Sequence, residues 1–326
     1  MTRFAIVGGG AWGTALGCLY ARAGHRTMLY ARDAETVAGI NRDRLNPRYL
    51  PDIDLPASLA ATSDPAEALV GADLVLFVVP AQSLSAATAE LGDLVPPGAL
   101  AVLCAKGIER GTGRFASQIF SQAQPAQPLA VLSGPSFAAD VARGLPTAVT
   151  IAAGEPALAD RAARLLSTET FRCYAASDVV GVEAGGALKN VLALAAGAVV
   201  GRGLGASAQA AIITRGFVEL RRLGAALGGQ PETLMGLSGL GDLVLTCSSP
   251  QSRNFTYGMA LGRGDDRSGL KLAEGVFTAE IAARLARDLG IDAPIIATVA
   301  AILSGDLDVD AAVQSLLARP LKREFD

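Results

Sequence analysis

The feature that most constrains this fold is the run Gly8-Gly9-Gly10-Ala11-Trp12-Gly13, set between an apolar pentapeptide and a stretch of helical pattern. Arg3-Phe4-Ala5-Ile6-Val7 reads as a short buried strand, and Thr14–Ala23 as a helix. Together they frame a G-x-G-x-x-G turn. Gly8 permits the tight turn, Gly10 lets the backbone approach a pyrophosphate, and Gly13 lets the helix pack close to the strand. Free N–H groups at the helix start then face the phosphates. A glycine-rich turn in some other α/β protein is the alternative. A secretory signal is the other reading of uncharged Phe4–Ala21, but a signal core should be continuously apolar and the glycines break it.

Beyond this turn, strands and helices alternate. Thr27–Tyr30 is the next strand, and Arg32 comes just after it, 19 residues after Gly13. An arginine there can pair with a 2′-phosphate, where an NAD-specific site would place an acidic residue. Asp33 suits the cap of the following helix. NADPH is therefore the first choice of cofactor and NADH the second, with a solvated Arg32 as the alternative. Asn46–Pro51 is a loop, and Asp64-Pro65-Ala66-Glu67 is a helix start. Asp73–Val79 and Leu100–Cys104 are continuous apolar runs of the kind buried on both faces of a parallel sheet. The second delivers Lys106 at its C-terminal end, where ligands bind in open α/β sheets. Leu129–Leu132 delivers Ser133-Gly134-Pro135-Ser136-Phe137-Ala138 in the same way, with Ser136 as a candidate helix cap. Thr147–Ala152 and Phe171–Tyr174 are further strands, with a helix from about Pro156 between them. The fold class is thus α/β, a doubly wound, mainly parallel Rossmann sheet over residues 1–177, followed by an all-α domain over 178–326.

The change of character after Ser177 leads into Val182–Gly197, which holds Lys189 and Asn190 among small and apolar residues. Ser177 or Asp178 would cap this helix. Its Gly185-Gly186 pair costs about 1 kcal/mol per glycine against alanine, which makes sense if a backbone or cofactor packs closely there. Only four of the 28 basic residues are lysines: Lys106, Lys189, Lys271 and Lys322. Where a positive charge alone is wanted, this chain uses arginine. An ammonium can give up its proton in a buried site and a guanidinium cannot. An ordinary boundary lysine, snorkelling to water, is the other reading.

Asp242 and Thr246 are four apart, on one face if helical. Ser252-Arg253-Asn254 opens a further helix and makes a natural anion site. A cap for Asp242 and a surface ion pair for Arg253 are the competing readings. The net charge of −3 argues against nucleic acid or an anionic membrane as main partner. Charged residues interrupt the long apolar runs, so no membrane span is expected. Cys18, Cys104, Cys173 and Cys247 are widely spaced, as suits reduced, mostly buried thiols in a cytoplasmic protein. The lone His25 follows Gly24 in a turn, so neither a histidine triad nor a metal site is expected.

The stretches GGGAWGTAL, AKG at 105–107, SGPSFA, GGALKNV, GLGDLVLTC and QSRN occur in this order. They resemble the NAD(P)-dependent glycerol-3-phosphate dehydrogenases of bacteria, from Gly8 to at least Glu274. The resemblance implies reversible conversion of dihydroxyacetone phosphate and sn-glycerol 3-phosphate. It also implies use in the reducing direction to supply phospholipid synthesis, and a homodimer. Carried over residue by residue, Lys189 matches the proton donor/acceptor. Lys106, Asn190, Asp242, Thr246, Ser252, Arg253 and Asn254 match positions at or beside the substrate, with Gly134 and Ser136 in a turn nearby. Ala11, Trp12, Arg32, Tyr49, Lys106, Ala138, Arg253, Leu272 and Glu274 match positions at the dinucleotide, beside Gly8, Gly10 and Gly13. The chain departs from the pattern at Ala11, where many relatives carry Ser, at Cys104-Ala105 in place of Ala-Thr, and at Ala139 in place of Lys.

The residues agree with the resemblance. Ketone reduction needs a hydride donor, a proton for the developing alkoxide and a grip on phosphate. Lys189 is the best acid available, with partial burial and a cationic Lys106 expected to lower its pKa. Asp242 would orient it or restrain that drop, and Arg253 with Asn254 would hold the phosphate. Another two-domain dehydrogenase, acting on a β-hydroxyacid or 6-phosphogluconate, is a competing reading. A dinucleotide sensor that leaves both lysines idle is another.

Overall fold

The computed structural model describes residues 2–320. Lys322 and the rest of 321–326 lie outside the described residues. The N-terminal half is one eight-stranded sheet: β1 Arg3–Val7, β2 Arg26–Tyr30, β3 Leu59–Thr62, β4 Leu74–Phe77, β5 Leu100–Leu103, β6 Leu129–Ser133, β7 Thr147–Ala152 and β8 Phe171–Ala176. Its order is β3-β2-β1-β4-β5-β6-β7-β8. The chain winds outward in one direction to β3, then returns beside β1 with β4, so a switch point opens between β1 and β4. All pairs are parallel except β6 with β7. The helices α1 Ala11–Arg22, α2 Ala34–Ala38, α3 Pro65–Leu69, α4 Leu84–Leu91, α5 Ala116–Ala123, α6 Ala138–Ala142 and α7 Pro156–Leu166 cover both faces.

Strand alternation divides the core in two. Phe4 and Ile6 pack with Leu16 and Tyr20 on one face, while Ala5 and Val7 pack with Phe77 and Phe120 on the other. Ile6 lies in register between Leu29 and Leu76. Asp33 and Asp64 cap α2 and α3 as expected, each accepting from a backbone N–H two or three residues on. Two expectations need correction. Asp73–Val79 is strand only over Leu74–Phe77, with Asp73 N and Val78 N donating to Arg3 O and Val7 O at its two ends. Ser136 does not cap α6: Phe137 takes the cap position, and the Ser136 hydroxyl donates to its neighbour Gly134 O instead.

The second half is helical: α8 Val179–Gly201, α9 Gly205–Ala226, α10 Pro231–Leu234, a π-helical turn Leu237–Gly241 continuing into α11 Asp242–Cys247, then α12 Arg253–Arg263, α13 Glu274–Asp288, α14 Pro294–Ser304 and α15 Val309–Leu317. Asp178, not Ser177, caps α8. This helix is the axis of the molecule. Its start packs on the sheet, where Val182 joins the cluster of Val131 and Ala152, and its remainder is the core of the helical half. By length and composition α8 could cross a membrane, but 83% of its apolar window is buried inside the protein.

The glycines of α8 are where other backbones touch it. A Cβ on Gly185 would lie 2.9 Å from Gly239 Cα, and one on Gly186 would lie 2.6 Å from Ser133 Oγ. Further along, Cβ atoms on Gly197 and Gly201 would run into the carbonyls of Phe255 and Met259. Those on Gly258 and Gly262 would run into the carbonyls of Leu194 and Ala198. Four glycines at i, i+4 spacing thus let α8 and α12 cross backbone to backbone.

Two buried carboxylates tie helices to this frame. Glu183 on α8 accepts from Ser117 N and Ser117 Oγ at the start of α5, and burial pushes its pKa up to about 7. Glu219 on α9 accepts from Ile295 N and Ile296 N at the start of α14, and burial likewise pushes it up to about 7. A carboxyl raised in the folded state gives stability that is full below the unfolded pKa and is lost as pH rises through the folded one. Glu183 therefore costs stability progressively from about pH 4.5 to about pH 7. Glu183→Gln can keep both hydrogen bonds without a charge. Its stability relative to the parent chain should grow across that window to about 1–3 kcal/mol at pH 8, measured by chemical denaturation at each pH. A difference that does not change with pH would show that Glu183 titrates as it does in water.

Candidate active site

The C-terminal ends of β1, β4, β5 and β6 converge on one edge. β1 runs into the glycine turn. Gly8 has φ +125, and a Cβ there would meet Val78 O at 2.4 Å, so only glycine fits. A Cβ on Gly13 would meet Gly8 O at 1.9 Å, whereas Gly10 faces open space. Gly10 caps α1 without a side chain, which leaves the first N–H groups of the helix for an anion. Nearby positions carry polar atoms that are buried and, among the described residues, unpartnered: Trp12 Nε1 and Glu274 Oε2. The other Glu274 oxygen accepts from Ala81 N, and a Cβ on Gly107 would lie 3.0 Å from Glu274 Oε2. Burial raises the Glu274 carboxyl, against the pull of the Ala81 N–H and Arg253. This cradle of open backbone and orphaned polar atoms fits a dinucleotide.

β5 delivers Lys106, and α8 delivers Lys189 from the opposite side. Asp242, at the first position of α11, lies between them. Lys106 Nζ donates to Asp242 Oδ2 at 2.8 Å and to Gly134 O at 2.9 Å. Lys189 Nζ donates to Asp242 Oδ1 at 2.9 Å and to Thr246 Oγ1 at 2.5 Å. The side chains of Lys189 and Asp242 are 7% and 2% exposed, while that of Lys106 is 19% exposed. Burial of Lys189 is thus nearly complete, deeper than the sequence suggested. That burial is the main force lowering its pKa to about 8; Asp242 opposes it and Lys106 adds to it. Burial alone would raise the Asp242 carboxyl, but Lys106 and Lys189 together hold it below the usual range. An ammonium has three N–H bonds. Each lysine uses two here, so each keeps one for a ligand, and the cluster carries one surplus positive charge.

A second chain of hydrogen bonds supports the first. Gly275 N donates to Asn254 Oδ1 at 2.9 Å, Asn254 Nδ2 to Asn190 Oδ1 at 2.8 Å, and Asn190 Nδ2 to Lys106 O at 3.0 Å. The helical half thereby fixes the backbone that carries Lys106. Ser252 caps α12 by accepting from Phe255 N, and Arg253 beside it is exposed. Gly134 has φ +145, and a Cβ there would lie 2.9 Å from Val149 Cα, so the turn requires glycine.

Lys106, Gly134, Lys189, Asn190, Asp242, Thr246 and Asn254 therefore form one connected cluster. Ala11, Trp12 and Ala138 lie at the first turns of α1 and α6, which pack against each other. Arg32, Tyr49 and Leu272 are exposed, outside the cluster, with Arg32 just past the end of β2. His25 precedes β2, at the opposite edge of the sheet, with its ring over Phe4. Sequence reasoning missed Asn46, which is buried and donates to Gly9 O at 3.1 Å and Thr14 Oγ1 at 2.8 Å. Its position in a Pro-rich loop carried no sign of that contact.

Residues 3–159 match the family described as NAD-dependent glycerol-3-phosphate dehydrogenase N-terminus, and residues 178–314 match its C-terminus. The chain belongs to the NAD-dependent glycerol-3-phosphate dehydrogenase family. It is 62% identical to glycerol-3-phosphate dehydrogenase [NAD(P)+] of Mesorhizobium japonicum, covering 99% of this chain and 94% of that one. It is 60% identical to the Brucella canis protein of the same name, over 99% of each. The crystal structure of glycerol-3-phosphate dehydrogenase from Coxiella burnetii superposes with a TM-score of 0.92 at 38% identity, covering 98% of this chain and 99% of that one. A member of this glycerol-3-phosphate dehydrogenase family is an oxidoreductase that uses NADH or NADPH, as the cradle at Gly8–Gly13 fits.

Proposed function

We propose that the chain reversibly reduces dihydroxyacetone phosphate to sn-glycerol 3-phosphate with NADPH, or less readily NADH, in the service of phospholipid synthesis. The observation that carries this reading is the shared carboxylate: two ammonium groups on Asp242, each with one N–H uncommitted, at the same C-terminal edge of the sheet as the glycine turn. When bound, the nicotinamide supplies a hydride to the carbonyl carbon. Lys189 Nζ gives its proton to the oxygen that becomes the alkoxide and takes it back in the reverse direction. A pKa of about 8 suits both directions near neutrality. Lys106 Nζ stabilises the same developing charge. Asp242 and Thr246 hold Lys189 in place, and the Asn190–Asn254 chain holds Lys106. Arg253 and the start of α12, capped by Ser252, take the substrate phosphate, with Gly134 and Ser136 shaping the wall. Gly8, Gly10, Ala11, Trp12 and Gly13 take the pyrophosphate. Tyr49, Ala138, Leu272 and Glu274 line the rest of the dinucleotide. The division into units 1–177 and 178–326, a cytoplasmic location and a homodimer complete the reading, on the strength of the family resemblance.

The decisive experiment monitors nicotinamide absorbance with dihydroxyacetone phosphate and either cofactor. Oxidation that requires the phosphate, and fails with plain dihydroxyacetone, is expected. No oxidation from a folded, dinucleotide-binding chain would overturn the reading. Arg32→Ala should raise KM for NADPH at least tenfold more than KM for NADH, the effect of one lost charge-assisted contact to the 2′-phosphate. Equal losses would remove Arg32 from that role.

A further inference from the structure

We propose that Arg48 supplies a second guanidinium to the 2′-phosphate of NADPH and so sets cofactor preference together with Arg32. This inference rests on the dinucleotide reading above. Asp33 is the carboxylate next to Arg32. Its Oδ2 accepts from Thr36 N at 3.2 Å and from Thr36 Oγ1 at 2.6 Å, so it is turned into the start of its own helix. The acidic position of an NAD site is thus taken by Arg32, and the neighbouring Asp33 serves its own helix.

The loop after α2 then returns over the glycine turn. A π-helical turn spans Gly39–Asp43, and Arg44 comes next, in the left-handed region with φ 56. Buried Asn46 pins the loop to Gly9 O and Thr14 Oγ1, while its own carbonyl accepts from Tyr49 N and Leu50 N. Pro47-Arg48-Tyr49 is therefore a tight turn standing on the pyrophosphate turn itself. The Arg48 guanidinium lies over the Tyr49 ring, 5.2 Å from its centroid, and 3.9 Å from Asp33 Oδ2. Arg48 thus reaches from the loop to the end of β2, where Arg32 emerges. Its side chain is 69% exposed. A long, solvated contact of this kind is worth little, so the charge is available to a ligand. The contact also offsets the charge of Asp33, which is half-exposed beside Arg32. Stacking on Tyr49 orders the guanidinium beforehand, which lowers the entropy lost on binding. Two arginines around a phosphate monoester make a specific dianion site, and a plain ribose gains nothing from either.

The chain carries its single tryptophan, Trp12, in the glycine turn, so fluorescence reports dinucleotide binding without any turnover. The parent chain, Arg48→Ala, Arg32→Ala and the double variant would each be titrated with NADPH, NADH, 2′,5′-ADP and 5′-AMP. Arg48→Ala should weaken NADPH and 2′,5′-ADP about tenfold or more, with NADH and 5′-AMP changed less than about twofold. The double variant should bind NADPH no better than NADH. Equal weakening of both dinucleotides by Arg48→Ala, or no weakening of either, overturns the proposal. So does a parent chain that prefers NADH. A parent chain that binds neither dinucleotide would instead overturn the cofactor reading on which the proposal rests.

Discussion

Lys189→Arg should lower kcat for dihydroxyacetone phosphate reduction by about 10²–10⁴-fold, the usual contribution of a positioned general acid, while KM changes little. The charge that attracts the phosphorylated substrate is kept. The removable proton is not, because a guanidinium stays protonated throughout the working range. A guanidinium nitrogen also carries at most two N–H bonds, so one that replaced Lys189 Nζ at Asp242 Oδ1 and Thr246 Oγ1 would have none left for the substrate. The parent chain carries its own signature. With Lys189 at about 8, kcat/KM for reduction should fall as pH rises past that value, and oxidation should rise through it. The variant should lose this limb in both directions. Near-normal turnover in Lys189→Arg would take the proton transfer away from this residue.

Asp242→Asn should be the most destabilising change in the site, by about 3–5 kcal/mol at pH 7, because it leaves buried ammonium charge without its counter-charge. Both lysines depend on this one carboxylate, at 2.8 and 2.9 Å. Without it the main opposition to the effect of burial on Lys189 is gone, so the Lys189 pKa falls below its present value of about 8. Two consequences can be measured. The kcat/KM limb for reduction should move to lower pH. The stability deficit should shrink as pH rises, since neutral Lys189 no longer needs the partner. A variant of unchanged stability with an unmoved limb would mean that another group neutralises the lysines.

The lysine–aspartate geometry is partly legible in the sequence. The i, i+4 spacing of Asp242 and Thr246 survives as a true face of α11, and Lys106 falls at the end of β5 as the apolar run before it implies. The scarcity of lysine points to both ammonium groups. Other features depend on partners remote in sequence. Glu183 and Glu219 look like ordinary helical glutamates until the N–H groups of Ser117 and Ile295 come into view. The strand β3, Leu-Ala-Ala-Thr, is too short and too poor in β-branched residues to stand out, yet it pairs with β2 over its full length. The glycine cost at Gly185-Gly186 signals a close approach, and the structure places Gly239 and Ser133 there. The second glycine pair, on α12, gives no hint of which helix it meets. The π-helical turn before Asp242 likewise has no local signature, since the Gly239 that permits it is packed against Leu234 O.

Because α8 belongs to both cores, it also dictates the order in which the nascent chain can mature. A ribosome releases the whole sheet before Val182 and Gly186, the residues that close over Val131 and Ser133. Until they emerge, that part of the sheet is an apolar surface facing water, the kind of transient exposure that chaperones exist to cover. The first half of the chain thus becomes complete only when the second half has begun to be made.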